Sequence, residues 1–108
     1  MSAIAICVNP MSGRDVRRLA ARATNMTHEA KRDIVARIAA GADSVGVNEI
    51  YIVDEPFRIA SMALDWMPLK AKVVTLGIEL HHDATDTERA VRAFVGEGVE
   101  VIVSLGGD

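Results

Sequence analysis

The sequence predicts an α/β protein in which a parallel sheet of about four strands is flanked by helices. Three observations predict it. Four short apolar runs, rich in β-branched residues, each lead into a turn signal: Ala3–Val8, Glu49–Val53, Lys72–Leu76 and Glu100–Leu105. Segments of helical length with apolar residues three and four apart lie between them. Aromatic residues are only 4% of a chain that is 50% hydrophobic, so its core must be built from Ala, Val, Ile and Leu.

Ala3-Ile-Ala-Ile-Cys-Val8 is apolar throughout, as expected of a strand covered on both faces. Asn9-Pro10-Met11-Ser12-Gly13 breaks it. Val16, Leu19, Ala20 and Ala23 then share one helical face, up to the interruption at Thr24 to Thr27. Thr27 suits the N-cap of a second helix, with Glu29 in its first turn. Ala30, Ile34 and Ile38, with Val35 beside them, give that helix its apolar stripe, Gly41 its expected stop, and Gly46 the turn beyond.

After the strand Glu49–Val53, Asp54-Glu55-Pro56 opens a helix expected to reach about Met67 and stop before Pro68. Two apolar stripes run along it: Phe57, Ala60, Leu64 and Met67, and then Ile59, Met62, Ala63 and Trp66. A helix apolar on two sides wants two neighbours; the sheet can supply one, and a partner subunit of a homo-oligomer or a missing part of the protein the other. Gly77 ends the third strand. Thr85-Asp-Thr-Glu88 has the spacing of a capping box, and Ala90, Val91, Phe94 and Val95 face inward from the helix it starts. Gly96 and Gly98 end that helix before the fourth strand and Gly106-Gly107-Asp108. Helix-length connections between apolar strands favour a three-layer, Rossmann-like arrangement.

At 108 residues the chain has the size of one domain, 1–108. Its apolar fraction, with 25% charged residues, excludes intrinsic disorder. A net charge of -3 argues against a nucleic-acid partner. A single cysteine cannot form an internal disulfide and suits a reducing compartment. No apolar run reaches the ~18 residues of a membrane span, and Ala3–Val8 lacks the flanks of a signal peptide. A cytoplasmic protein without a membrane partner is therefore expected.

In parallel α/β sheets ligands gather at the carboxyl ends of the strands. Two segments fall there. Gly106 and Gly107 would let the backbone turn sharply and let an anion approach its amides, and Asp108 could hold a metal or accept a proton from a hydroxyl. A plain tight turn with a surface Asp fits the same three residues. Asn9 could bond a ribose or base edge, and Pro10 stiffens the strand exit. Ser12 and Gly13 offer a hydroxyl and an open amide, with Arg14 near to meet a phosphate. A strand-to-helix connector capped by Ser12 is the plainer reading of this segment taken alone.

Asn9-Pro10-x-Ser12-Gly13 after the first strand, and Gly106-Gly107-Asp108 after a strand roughly ninety residues on, resemble the N-terminal domain shared by NAD kinases and the lipid kinases of the diacylglycerol and sphingosine type. Within that superfamily the chain looks most like the NAD-kinase-like proteins associated with acetoin catabolism, a likeness supported by Gly13-Arg-Asp-Val-Arg-Arg-Leu19 and Asp86-Thr87. The resemblance spans the whole chain.

It implies a nucleotide-binding α/β domain of a kinase that moves the γ-phosphate of ATP, with Mg2+, to a hydroxyl such as the ribose 2′-OH of NAD. In that reading Asp108 is the catalytic carboxylate. Gly106 and Gly107 shape the nucleotide-binding turn, and Asn9, Pro10, Ser12, Gly13 and Arg14 line the cleft. Phosphoryl transfer needs positioning and charge neutralisation more than covalent chemistry, which such residues can supply. In those families the second motif continues Gly-Gly-Asp-Gly-Thr and a β-rich second domain forms the other cleft wall. The sequence ends at Asp108, so the resemblance implies a fragment inactive on its own. Two further readings compete: a phosphofructokinase-like sugar kinase, which lacks support from a glycine-rich loop after the first strand, and a non-catalytic module binding a nucleotide or a protein.

Other signals favour plainer roles. His81-His82-Asp83 has no further ligand at metal spacing and reads as a solvated loop. Cys7 reads as a buried small hydrophobe. Arg14, Arg17, Arg18 and Arg22 form a basic face, solvated or drawn to a polyphosphate. Met62, Trp66 and Met67 read as packing residues that would promote self-association where exposed.

Overall fold

The computed structural model describes residues 2–8, 28–55, 57–78 and 85–105. The elements are β1 (Ala3–Val8), α1 (His28–Ser44), β2 (Glu49–Val53), α2 (Ile59–Leu64), β3 (Lys72–Leu76), α3 (Thr85–Gly96) and β4 (Val101–Leu105). The helix expected around Val16 to Ala23 and the Thr27 cap lie outside the described residues, as do His81-His82-Asp83.

The four strands form one parallel sheet in the order β3-β2-β1-β4. Ala3 pairs with Glu49, Glu49 with Lys72, and Ile4 with Val101. Side chains alternate across the sheet, so this register sorts the core into two halves. Ile6, Val8, Ile50 and Ile52 meet Val35 and Ala39 of α1 and Ile59, Ala60 and Leu64 of α2 on one face. Ala5, Cys7 and Val53 meet Ala90 and Phe94 of α3 on the other. Central β1 is buried from Ala5 to Val8, whereas edge strands β3 and β4 are exposed at alternating ends.

The layering follows from connection handedness. From β1 to β2 to β3 the chain steps one way, and α1 and α2 cover one face. From β3 to β4 it returns past β2 and β1, and α3 covers the opposite face. A right-handed crossover puts its helix on the other face when the direction of travel reverses.

Both long helices end in the same way. Past α1, Val47 N–H reaches back to Ala42 O at 3.1 Å and Gly46 N–H to Asp43 O at 3.2 Å, with Gly46 at φ 91°. Past α3, Val99 N–H bonds Phe94 O at 3.1 Å and Gly98 N–H bonds Val95 O at 2.9 Å, with Gly98 at φ 82°. These are Schellman caps, in which a left-handed glycine lets two orphan carbonyls be satisfied. The expected stop at Gly41 is corrected: α1 passes through it to Ser44, because the cap bonds and the left-handed glycine come at Gly46, and an interior glycine weakens a helix without ending it.

Two further expectations are corrected. The buried row of α1 is Lys31, Val35 and Ala39; Ile34 and Ile38 flank it and Ala30 is exposed. The helix is thus rotated by about one residue from the stripe that Ala30, Ile34 and Ile38 suggested. The helix expected from Asp54-Glu55-Pro56 to Met67 is only Ile59–Leu64. Glu55 O accepts Arg58 N–H at 2.9 Å and Arg58 takes a left-handed φ of 51°, so a turn comes before the first helical residue. At the far end Met67 and Leu69 leave the helical ladder ahead of β3. Of the two stripes, Ile59, Ala60 and Leu64 are buried, while Met62 and Phe57 are half-exposed and Trp66 is 92% exposed. Among the described residues no helix is long and apolar enough to cross a membrane.

Candidate functional site

The carboxyl ends of β1 and β4 form the one place where the chain's direction across the sheet reverses. Val8, the last residue of β1, is the register partner of Leu105, the last residue of β4. Neighbouring strands lie about 4.8 Å apart. The chain steps from β1 toward β3 and returns to place β4 on the other side of β1, and in open parallel sheets such a switch point is where ligands bind. Asn9 follows Val8 and Gly106 follows Leu105 in sequence. The predicted site residues themselves (Asn9, Pro10, Ser12, Gly13, Arg14, Gly106, Gly107 and Asp108) lie outside the described residues.

The structure adds two groups that sequence reasoning did not single out. Glu55, two residues past β2 and so at the same end of the sheet, is buried, at 4% exposure. Its carboxylate Oε1 accepts the Ile59 N–H at the start of α2. Burial pushes its pKa up; backbone N–H groups of Ile59, Glu55 and Ala60 pull it down, and the Asp54 charge pushes it up again. Its signal in the sequence was an acidic residue directly after a buried strand, which reads as readily as a first-turn helix residue. With Oε1 engaged by α2, the carboxylate's first role is to cap that short helix.

Cys7 lies 2% exposed on the α3 face of β1. Burial, with a contribution from the Glu55 charge, raises its thiol pKa to about 11. A thiol held neutral in apolar surroundings is a poor nucleophile, in agreement with a packing role.

Lys31 is the second added group. It is wholly buried, at 0% exposure, on the sheet-facing row of α1. Its place at i−4 and i−8 from Val35 and Ala39 was legible only once the true buried row was known.

A shallow cleft of about 100 Å³ lies elsewhere, between α2 and β3, lined by Ile52, Ser61, Leu64, Asp65, Val73 and Thr75. Asp65 there is shared with Arg58 at 3.6 Å, and both side chains are more than half exposed, so this ion pair adds little stability. The cleft sits at the β3 edge, two strands from β1 and three from β4.

Comparison with known proteins adds one relationship. No family model matches the chain, and no solved structure matches it. A curated protein of Cupriavidus necator, named Acetoin catabolism protein X, is 29% identical over 123 aligned positions, covering 97% of this chain and 31% of that protein. The chain therefore spans about a third of the length of the relative it matches.

Proposed function

We propose that this chain is the N-terminal, nucleotide-binding part of an NAD-kinase-like phosphotransferase, which moves the γ-phosphate of ATP to a hydroxyl on NAD or a related alcohol. The observation that carries the reading is the pairing of Val8 with Leu105 at the switch point. That pairing starts the two motif-bearing segments from neighbouring strand tips. The relative bearing the name Acetoin catabolism protein X supports the acetoin-associated branch of the resemblance, and its greater length leaves room for a second cleft wall.

In this reading the backbone amides at Gly13, Gly106 and Gly107 receive phosphate oxygens, and Arg14 offsets their charge. Ser12 donates its hydroxyl to the same phosphates, while Asn9 and Pro10 shape the rim on the β1 side. Asp108 accepts the proton of the acceptor hydroxyl as the new O–P bond forms. Mg2+ would neutralise charge on the polyphosphate. Among the described residues no group of three or more His, Cys, Asp and Glu gathers. In this reading Asp108 would hold the ion together with the phosphate oxygens of the nucleotide. Glu55, committed to Ile59, is not one of its ligands in this scheme.

Thermal shift and calorimetry with ATP, NAD and sugar phosphates, each with magnesium, test the reading. Saturable binding of ATP or NAD, weakened by Asp108→Asn or by Gly106→Val, is the expected result. Binding of a sugar phosphate alone, or of no nucleotide at millimolar concentration, would overturn it. In a coupled assay this chain by itself is expected to form no NADP.

A further inference from the structure

We infer that the outer side of α2 is a self-association surface, on which Trp66 of each of two copies seats in the cleft between α2 and β3 of the other. Trp66 follows α2 and is 92% exposed, the most exposed large hydrophobic residue among those described. Phe57 and Met62, both about half-exposed, belong to the same short stretch. A surface tryptophan flanked by further apolar side chains marks an interaction site. Ile59, Ala60 and Leu64 already pack on the sheet, so the sheet accounts for one apolar side of this segment and leaves the other open.

The cleft supplies a matching seat. Ile52, Leu64 and Val73 give it apolar walls, and Asp65 stands among them with a half-exposed carboxylate. A volume of about 100 Å³ suits the edge of one aromatic ring rather than a whole cofactor. A buried indole wants an acceptor for its N–H, and Asp65 offers one. Trp66, being exposed, does not fill the cleft of its own chain.

Three features choose a second copy as the occupant. Asp65 lines the cleft and directly precedes Trp66, so projection and recess are close together. A two-fold axis set midway between a projection and a recess on one surface carries each onto the other, and an identical chain then satisfies both at once. Charge agrees. Arg58 caps the start of α2 and Asp65 its end, so the face holds one cation and one anion, and antiparallel approach brings Arg58 toward the partner's Asp65. Area sets the strength. With about 200 Å² from each tryptophan, plus Phe57, Met62 and the cleft walls, the contact covers on the order of 1,000 Å². That is the lower end of specific interfaces and gives a weak dimer, with a dissociation constant on the order of 10–100 µM.

Analytical ultracentrifugation of the whole chain from about 1 to about 500 µM, with fluorescence read at the same concentrations, tests this. The mass is expected to rise from 11.6 kDa toward twice that value. Emission from Trp66, the single tryptophan, is expected to move to the blue in step. Trp66→Ser is expected to raise the dissociation constant by about tenfold or more. Thr75→Arg, which puts bulk and charge at an exposed position lining the cleft, is expected to do the same and to leave Trp66 emission red at every concentration. A chain that stays monomeric throughout, a dimer with red Trp66 emission, or a dimer indifferent to either folded variant would overturn the inference. Blue emission in the monomer would overturn it as well, because Trp66 would then be covered by its own chain. Should one variant fail to fold, the other decides together with the wild-type fluorescence.

Discussion

The Oδ1 atom of Asp43 accepts the backbone N–H of Ala71 at 2.7 Å, and that of Lys70 at 2.9 Å. One carboxylate thereby joins the end of α1 to the entry of β3, two elements far apart in sequence. Neutral backbone donors bonded to a charged acceptor are stronger than ordinary pairs. Asp43→Ala is expected to cost about 2–3 kcal/mol, because two N–H groups lose their acceptor and Ala71 is buried. Asp43→Asn, which retains a carbonyl oxygen, is expected to cost about half as much. Urea unfolding with an unchanged slope is the measurement; a loss under about 0.5 kcal/mol for the alanine variant would contradict the bridging role.

Aromatic residues separate core from surface here. Phe94 has 0% exposure and anchors the α3 face, so Phe94→Ala should cost about 3–5 kcal/mol. Trp66, at 92% exposure, should tolerate Trp66→Ser within about 0.5 kcal/mol. It is the single tryptophan of the chain. Its fluorescence should already show the red emission of a hydrated indole in the folded state and shift little on unfolding. Blue-shifted emission shielded from an aqueous quencher in the folded monomer would show that Trp66 is covered in solution.

Two glycines should respond in opposite senses to alanine. Gly98 has φ 82° and closes the cap of α3, so a Cβ there is strained although no atom lies within 4 Å of its position. Gly98→Ala is expected to destabilise by about 1–2 kcal/mol. Gly41 is helical, with open space around an added Cβ. Gly41→Ala should stabilise by about 1 kcal/mol through reduced chain entropy and better helix propensity. Thermal midpoints moving in the same direction for both would refute the cap assignment.

The Cys7 thiol predicts a pH dependence. Its folded pKa of about 11 lies above the ordinary value of 9.0. The folded state therefore holds a proton that the unfolded state releases first. The stability from this group is full below pH 9 and is lost as pH rises from 9 to about 11. The loss is at most about 3 kcal/mol. Cys7→Ala, although less stable at neutral pH for want of volume, should lose less stability over that window than wild type. In native protein the thiol should resist a disulfide reagent at pH 8 and react only as the chain opens. Immediate stoichiometric labelling would show an exposed thiolate and reverse the assignment.

Local features were legible because local physics sets them. The bounds of Ala3–Val8, Glu49–Val53 and Lys72–Leu76 coincide with the observed strands, and the fourth differs only in starting at Val101. Each is a short apolar run closed by a turn or a glycine. Where the reading went astray, distant groups intervened. The helix after Val53 starts late because Glu55 turns inward and caps Ile59. The row of α1 that faces the sheet is set by Ile6, Val8, Ile50 and Ile52, not by its own most apolar stripe. Lys31 and Glu55 showed no local sign of burial for the same reason.

By itself, then, the sequence determined the class of fold, the number of strands and the residues that end each one, since periodicity and turn chemistry act over a few positions. The tertiary structure decided the order β3-β2-β1-β4, the face each helix covers, and the meeting of Val8 with Leu105. Nothing within either strand encodes that meeting. It arises because the third connection passes back across β2 and β1; the right-handed crossover rule then sets the face that α3 covers, while only the assembled core fixes which edge the strand reaches.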